Sequence, residues 1–120
     1  MLSLEDKIQT VVDALEDIKA DDITVINTSK LSPMFECMII ASAKSTRQTK
    51  AIADNVVVKL KERGEPVYGR EGEGSGEWIL VDLGEVLVHI MQPAVREYYN
   101  LEELWSKGQS PRPKLAKLPE

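Results

Sequence analysis

Residues 71–91 read EGEGSGEWILVDLGEVLVHIM. Three glycines within five positions, Gly72, Gly74 and Gly76, run into two apolar segments parted by Leu83, Gly84 and Glu85. A phosphate-binding loop sets glycine-rich backbone between a strand and a helix, so that the helix amides point at the anion. Here the glycines lead into a strand-like run, Trp78 to Asp82, and no helix follows. Glu71, Glu73 and Glu77 would surround a negative ligand with negative charge, and the chain has no Gly-Lys-Ser/Thr triplet. The glycines are turn residues, needed where the backbone takes positive φ. The two runs around the short joint, Trp78 to Asp82 and Val86 to Met91, form a β-hairpin.

The rest of the chain arranges itself around that hairpin. Ser3 and Asp6 mark a helix start, and Leu4, Ile8, Val11, Val12, Leu15 and Ile18 recur at helical spacing to about Lys19. Ile23 to Asn27 is a short strand, and Cys37 to Ala41 a near-continuous apolar strand suited to a sheet centre. Ser45 with Gln48 three residues on is a capping box, opening a helix that Gly64 ends. Pro66 to Tyr68 is a brief strand. Pro93 opens one last helix carrying Val95, Tyr98, Leu101, Leu104 and Trp105. The helix from Ser45 to Arg63 joins two strands and predicts a right-handed parallel crossover. The expected fold is α/β: one domain over 1–105, a mixed five-stranded sheet flanked by helices. Residues 106–120, with three prolines and four cations, read as a flexible tail.

Composition narrows the function. The 120 residues suffice for one domain. No apolar stretch is long enough for a transmembrane helix, and the N-terminus lacks a signal core, so a cytoplasmic protein is expected, with no membrane partner. A single cysteine, Cys37, excludes an internal disulfide, and its apolar setting makes it a small buried hydrophobe rather than a nucleophile. With one histidine and no G-x-S-x-G elbow, a serine hydrolase has little support. Asp82 and Glu85 flank a turn and are read as solvated carboxylates rather than metal ligands. No cofactor or metal is expected. Fifteen cations stand against twenty acids, a net charge of −5, which suits a basic protein partner better than a nucleic-acid backbone.

Pairing Val81 with Val86, Ile79 with Val88 and Trp78 with His89 across a four-residue turn sorts the hairpin into two faces. Ile79, Val81, Val86, Val88 and Ile90 are uniformly β-branched and suit packing under helices. Trp78, Leu80, Asp82, Leu87, His89 and Met91 mix a large aromatic, aliphatics and polar groups, the make-up of a protein-binding patch. The alternative is that a helix covers this face as well. Asp82 and His89 weigh against it, since buried polar groups need partners.

The segment EGEGSGEWILVDLGEVLVHIMQPAVREYYNLEELW, with Glu71, Gly72, Trp78, Asp82, Gly84, His89, Leu104 and Trp105, resembles the ribosomal silencing factor family, also called Iojap or RsfS. ECMIIASAKSTRQTKAIADNV matches too, through Ser45, Arg47, Ala51, Ile52 and Ala53, and the likeness spans about Leu4 to Trp105. The resemblance implies a non-enzymatic protein that binds the large ribosomal subunit through its fourteenth ribosomal protein. Occupying that site blocks small-subunit joining and represses translation. It also implies a fold related to nucleotidyltransferases. In those enzymes a Gly-Ser or Gly-Gly precedes an Asp-x-Asp/Glu metal pair, whereas Asp82 here is followed by Leu83 and Gly84, so a metal-dependent nucleotidyltransferase is the rival reading. On the family reading Glu71, Trp78, Leu80, Asp82, Leu87, His89 and Met91 bind the partner, with Glu71 and Asp82 facing its cations. The resemblance leaves a homodimer open, and Ser45 and Arg47 are either a helix cap and a surface cation or partner contacts.

Overall fold

The structure, a computed structural model, describes residues 2–106. Ser3 accepts a hydrogen bond from the Asp6 amide at 3.1 Å and starts α1 (Leu4–Asp17), whose first turn carries Glu5 and Asp6 toward the positive end of the helix dipole. Ser45 does the same for α2 (Thr46–Glu62), accepting from Gln48 N at 3.1 Å. The Gln48 carbonyl returns to Lys44 N at 2.8 Å, and its amide donates to Ile18 O and Lys19 O, so one side chain caps α2 and satisfies the end of α1.

Five strands, β1 (Asp21–Asn27), β2 (Cys37–Ser42), β3 (Gly69–Glu71), β4 (Trp78–Asp82) and β5 (Val86–Met91), form one sheet in the order β1-β2-β5-β4-β3. β2 and β5 pair in parallel at its centre, and every other neighbouring pair is antiparallel. All six residues of β2 are buried, as its unbroken apolar run predicts. α2 leads from β2 to β3, which runs parallel to β2 but lies beyond β5 and β4, so the crossover spans two intervening strands.

Three expectations need correction. The hairpin pairs Trp78 with Met91, Ile79 with Ile90, Leu80 with His89, Val81 with Val88 and Asp82 with Leu87, two residues away from the expected register. The cause is the turn. Leu83 N donates to Val86 O at 2.9 Å, leaving only Gly84 and Glu85 in the loop, and Gly84 at φ +87° takes the position that a II′ turn reserves for glycine. The third strand is Gly69–Glu71 rather than Pro66 to Tyr68. Pro66 has no N–H to donate, and ladder bonding begins only with Tyr68 N to Asp82 O at 2.8 Å. The last helix is two: α3 (Pro93–Tyr99) and α4 (Leu101–Ser106), broken where Asn100 takes a left-handed φ of 49°. Ser106 closes α4, and the remainder of the expected tail lies outside the described residues.

Both sheet faces are covered, unequally. The β-branched face (Ile79, Val81, Val86, Val88, Ile90) packs beneath Val11 and Leu15 of α1 and Ile52, Val56 and Leu60 of α2. On the other face a smaller cluster, Ile26, Met38, Ile40 and Met91, lies against Val95 and Tyr99 of α3 and Leu101 and Trp105 of α4.

Candidate partner-binding face

α3 and α4 are held to the second face by Arg96. Its guanidinium donates to Ser42 Oγ at 2.8 Å on β2 and Thr24 Oγ1 at 3.0 Å on β1, and grips both carboxylate oxygens of Glu102 at 3.2 and 2.7 Å. In one continuous helix residues six apart face away from each other. The left-handed turn at Asn100 is what brings Arg96 and Glu102 together. It also sets Trp105 edge-on to Phe35, ring centroids 5.4 Å apart. Sequence reading missed this clamp, although Asn100 followed by Glu102 and Glu103 is a second helix-start signature.

The clamp divides the expected patch. Met91 is fully buried and His89 is 7% exposed, in the part of the face that α3 and α4 close. Trp78 is half-buried, its ring 4.9 Å from Tyr99 and its Nε1–H donating to His89 Nδ1 at 2.9 Å. Because Nδ1 accepts, the imidazole proton sits on Nε2, which is buried without a protein partner. Burial pushes the His89 pKa down from 6.5 to about 4, so the ring is neutral near pH 7.

Leu80, Asp82 and Leu87 stay half-open, and Glu71, opposite Leu80 on β3, is exposed. Asp82 Oδ1 accepts from Gly84 N at 2.9 Å and braces the turn. The arrangement is an apolar strip, Leu80 and Leu87, each with a carboxylate beside it across the strands, Glu71 and Asp82, and with Trp78 two residues from Leu80 along β4. Such a strip can bind a protein. Among the described residues, no three His, Cys, Asp or Glu side chains converge to hold a metal ion.

Elsewhere, the glycine loop is a turn, with Gly72 and Gly76 at positive φ as expected but not Gly74, whose position leaves open space for a side chain. Gly72 sits at φ +95°, where a Cβ would lie 2.0 Å from Trp78 O. Cys37 is buried, and burial raises its thiol to about 11, which leaves it unreactive. Ser45 is a helix cap, while the Arg47 side chain is exposed. No helix among the described residues is long and apolar enough to cross a membrane.

Comparison with known proteins gives this geometry a setting. A family model described as "Ribosomal silencing factor during starvation" matches residues 2–120, including the segment beyond Trp105 that sequence reading left outside the resemblance. The ribosomal silencing factor RsfS of Chromobacterium violaceum is 51% identical over 110 residues, covering 92% of this chain and 89% of that protein. A crystal structure of a C. violaceum protein matches with a TM-score of 0.86 at 51% identity, over 92% of this chain and 91% of that one. A mouse protein named "Mitochondrial assembly of ribosomal large subunit protein 1" is 34% identical, covering 82% of this chain and 45% of its own length. By the family model and these relatives together, the chain belongs to the ribosomal silencing factor (RsfS) family.

Proposed function

We propose that this protein binds the large ribosomal subunit through its fourteenth ribosomal protein and blocks small-subunit joining by occupancy, repressing translation in the cytoplasm. Family membership supports the ribosome as partner, and the mouse relative's name points to the large subunit. The observation that carries the reading is the open strip on β4 and β5. Leu80 and Leu87 offer a surface to desolvate, and Asp82 and Glu71 offer charge for a basic partner. His89 and Met91 act from below, as the floor on which Trp78 and the strip rest. Nothing in this scheme asks for catalysis.

The test is co-sedimentation with separated ribosomal subunits. The protein is expected to pellet with the large subunit alone and to reduce the yield of joined ribosomes. Failure to pellet, combined with magnesium-dependent nucleotide turnover, would reverse the choice in favour of a nucleotidyltransferase.

A further inference from the structure

Three connections meet at one end of the sheet: residues 28–36 before β2, 63–68 before β3, and the turn 83–85 before β5. They are joined through backbone. Glu85 O accepts from Glu36 N at 2.8 Å and Cys37 N at 3.1 Å, while Tyr68 lies against the Cα of Gly84, where an added Cβ would come within 2.9 Å of its ring.

Two large apolar side chains stand out from this joined surface, Met34 at 83% exposed and Tyr68 at 67%. Neither rides on a loose loop. Thr28, fully buried, donates from N to Glu36 O at 3.0 Å, and its carbonyl accepts from Leu31 N at 2.9 Å and Ser32 N at 3.0 Å. Ser32 Oγ then accepts from Met34 N at 3.1 Å, and Phe35 is pinned beneath Trp105. Single exposed hydrophobes need no explanation. A methionine presented by this many backbone bonds is different, because the backbone share of the ordering cost of binding has already been met in the free protein. Methionine fits irregular recesses, and tyrosine brings area with little rotamer freedom to lose.

We propose that this end of the sheet continues the partner-binding face, with Met34 and Tyr68 as apolar projections on either side of Glu36 and Glu85. The occupant is a protein surface with apolar recesses and cations between them. The proposal rests on the reading that the open strip meets a basic protein of the large subunit. Continuity supports it: Asp82 and Leu87, at the end of the strip, pair with Gly69 and Met38 at the same end of the sheet. Charge selects the class of partner. Glu36 and Glu85 are exposed, Lys7 is buried against Glu65 and Glu85, and the three connections carry two exposed cations, Lys30 and Arg63. The chain's net charge of −5 disfavours phosphate as the partner, whether of RNA or of lipid.

Full-length Met34→Ser, Tyr68→Ser and the double variant are titrated against purified large subunits by co-sedimentation. Val58→Ser, an exposed position on α2, serves as control. Each single variant is expected to bind roughly tenfold more weakly and the double variant more weakly still, with thermal midpoints and the control unchanged. Should Tyr68→Ser lower the midpoint, Met34→Ser carries the test, since Met34 supports no packing. Wild-type binding with unaltered affinity in Met34→Ser overturns the inference and leaves the proposed function standing. Wild-type failure to pellet removes both. Loss of self-association in sedimentation velocity, with subunit binding intact, shows the occupant to be a second copy and also overturns it.

Discussion

Trp78 and His89 are joined side chain to side chain, indole Nε1–H to imidazole Nδ1 at 2.9 Å, across the register Leu80↔His89. The bond exists only while Nδ1 is unprotonated, so it ties the floor of the proposed partner-binding face to the charge state of one ring. The folded imidazole titrates near 4 and the unfolded one near 6.5, so between those values the unfolded chain holds the extra proton. Stability therefore falls as pH drops from 6.5 toward 4. Urea unfolding is expected to show about 2 kcal/mol less stability from this residue at pH 5 than at pH 7. His89→Gln should flatten that difference, and equal pH slopes in the two proteins would refute the assignment.

A second pH dependence acts lower. The Leu2 amide donates to Glu65 at 2.7 Å, and Lys7 pairs with the same buried carboxylate at 3.3 Å, holding its pKa below the ordinary 4.5. That stability is present above 4.5 and is lost as pH falls through the lowered value. Lys7→Ala removes the counter-charge and should lower the thermal midpoint at pH 7. Lys7→Met with Glu65→Leu, which replaces the pair by apolar groups, should recover much of the loss. Calorimetry of the two variants decides it.

Two glycines with similar φ should respond differently to alanine. At Gly72 the new Cβ meets Trp78 O at 2.0 Å, backbone against backbone, and neither can yield. At Gly84 it meets the ring of Tyr68, an exposed side chain that can swing away. Gly72→Ala is expected to cost about 3 kcal/mol or more, and Gly84→Ala about 1 kcal/mol, measured by denaturant unfolding.

Trp78 lies half inside the fold, so Trp78→Ala should reduce stability and subunit affinity together, the first by about 2 kcal/mol. Leu80→Ser and Asp82→Lys probe the strip more cleanly. Both are expected to weaken large-subunit binding roughly tenfold, the second through repulsion from a basic partner. Leu80→Ser should change the thermal midpoint little, while Asp82→Lys also loses the bond from Gly84 N that braces the turn and should lower it. Unchanged affinity in both would remove the strip from the interface.

What was legible in the sequence followed from parity. Val86, Val88 and Ile90 alternate with Leu87, His89 and Met91, so the two faces could be separated before any pairing was known. A slip of two residues preserves that separation, which is why the faces stood while the register did not. The register depended on Gly84 opening a two-residue loop, and a glycine between Leu83 and Glu85 also suits a longer turn. Coverage of the second face was illegible for another reason. It depends on Asn100 adopting a left-handed conformation and on Arg96 then reaching Ser42, Thr24 and Glu102. Neither the chain reversal nor the distant hydroxyls leave a periodic trace. The grouping of Met34 with Tyr68 was hidden likewise, since only strand order brings their loops to one end of the sheet.

The parallel seam between β2 and β5 also sets the order in which the molecule can be assembled during synthesis. Cys37 pairs with Val86, and the whole ladder joins segments about fifty residues apart. β1 and α2 are complete while the far edge of β2, buried at every position in the finished sheet, still has no neighbour. At ordinary elongation speeds that edge stays open for seconds before β5 emerges. During that interval an unpaired apolar edge is a template for pairing with another nascent chain. The hairpin that carries the proposed partner-binding strip is thus also the piece that closes this edge against pairing with another chain.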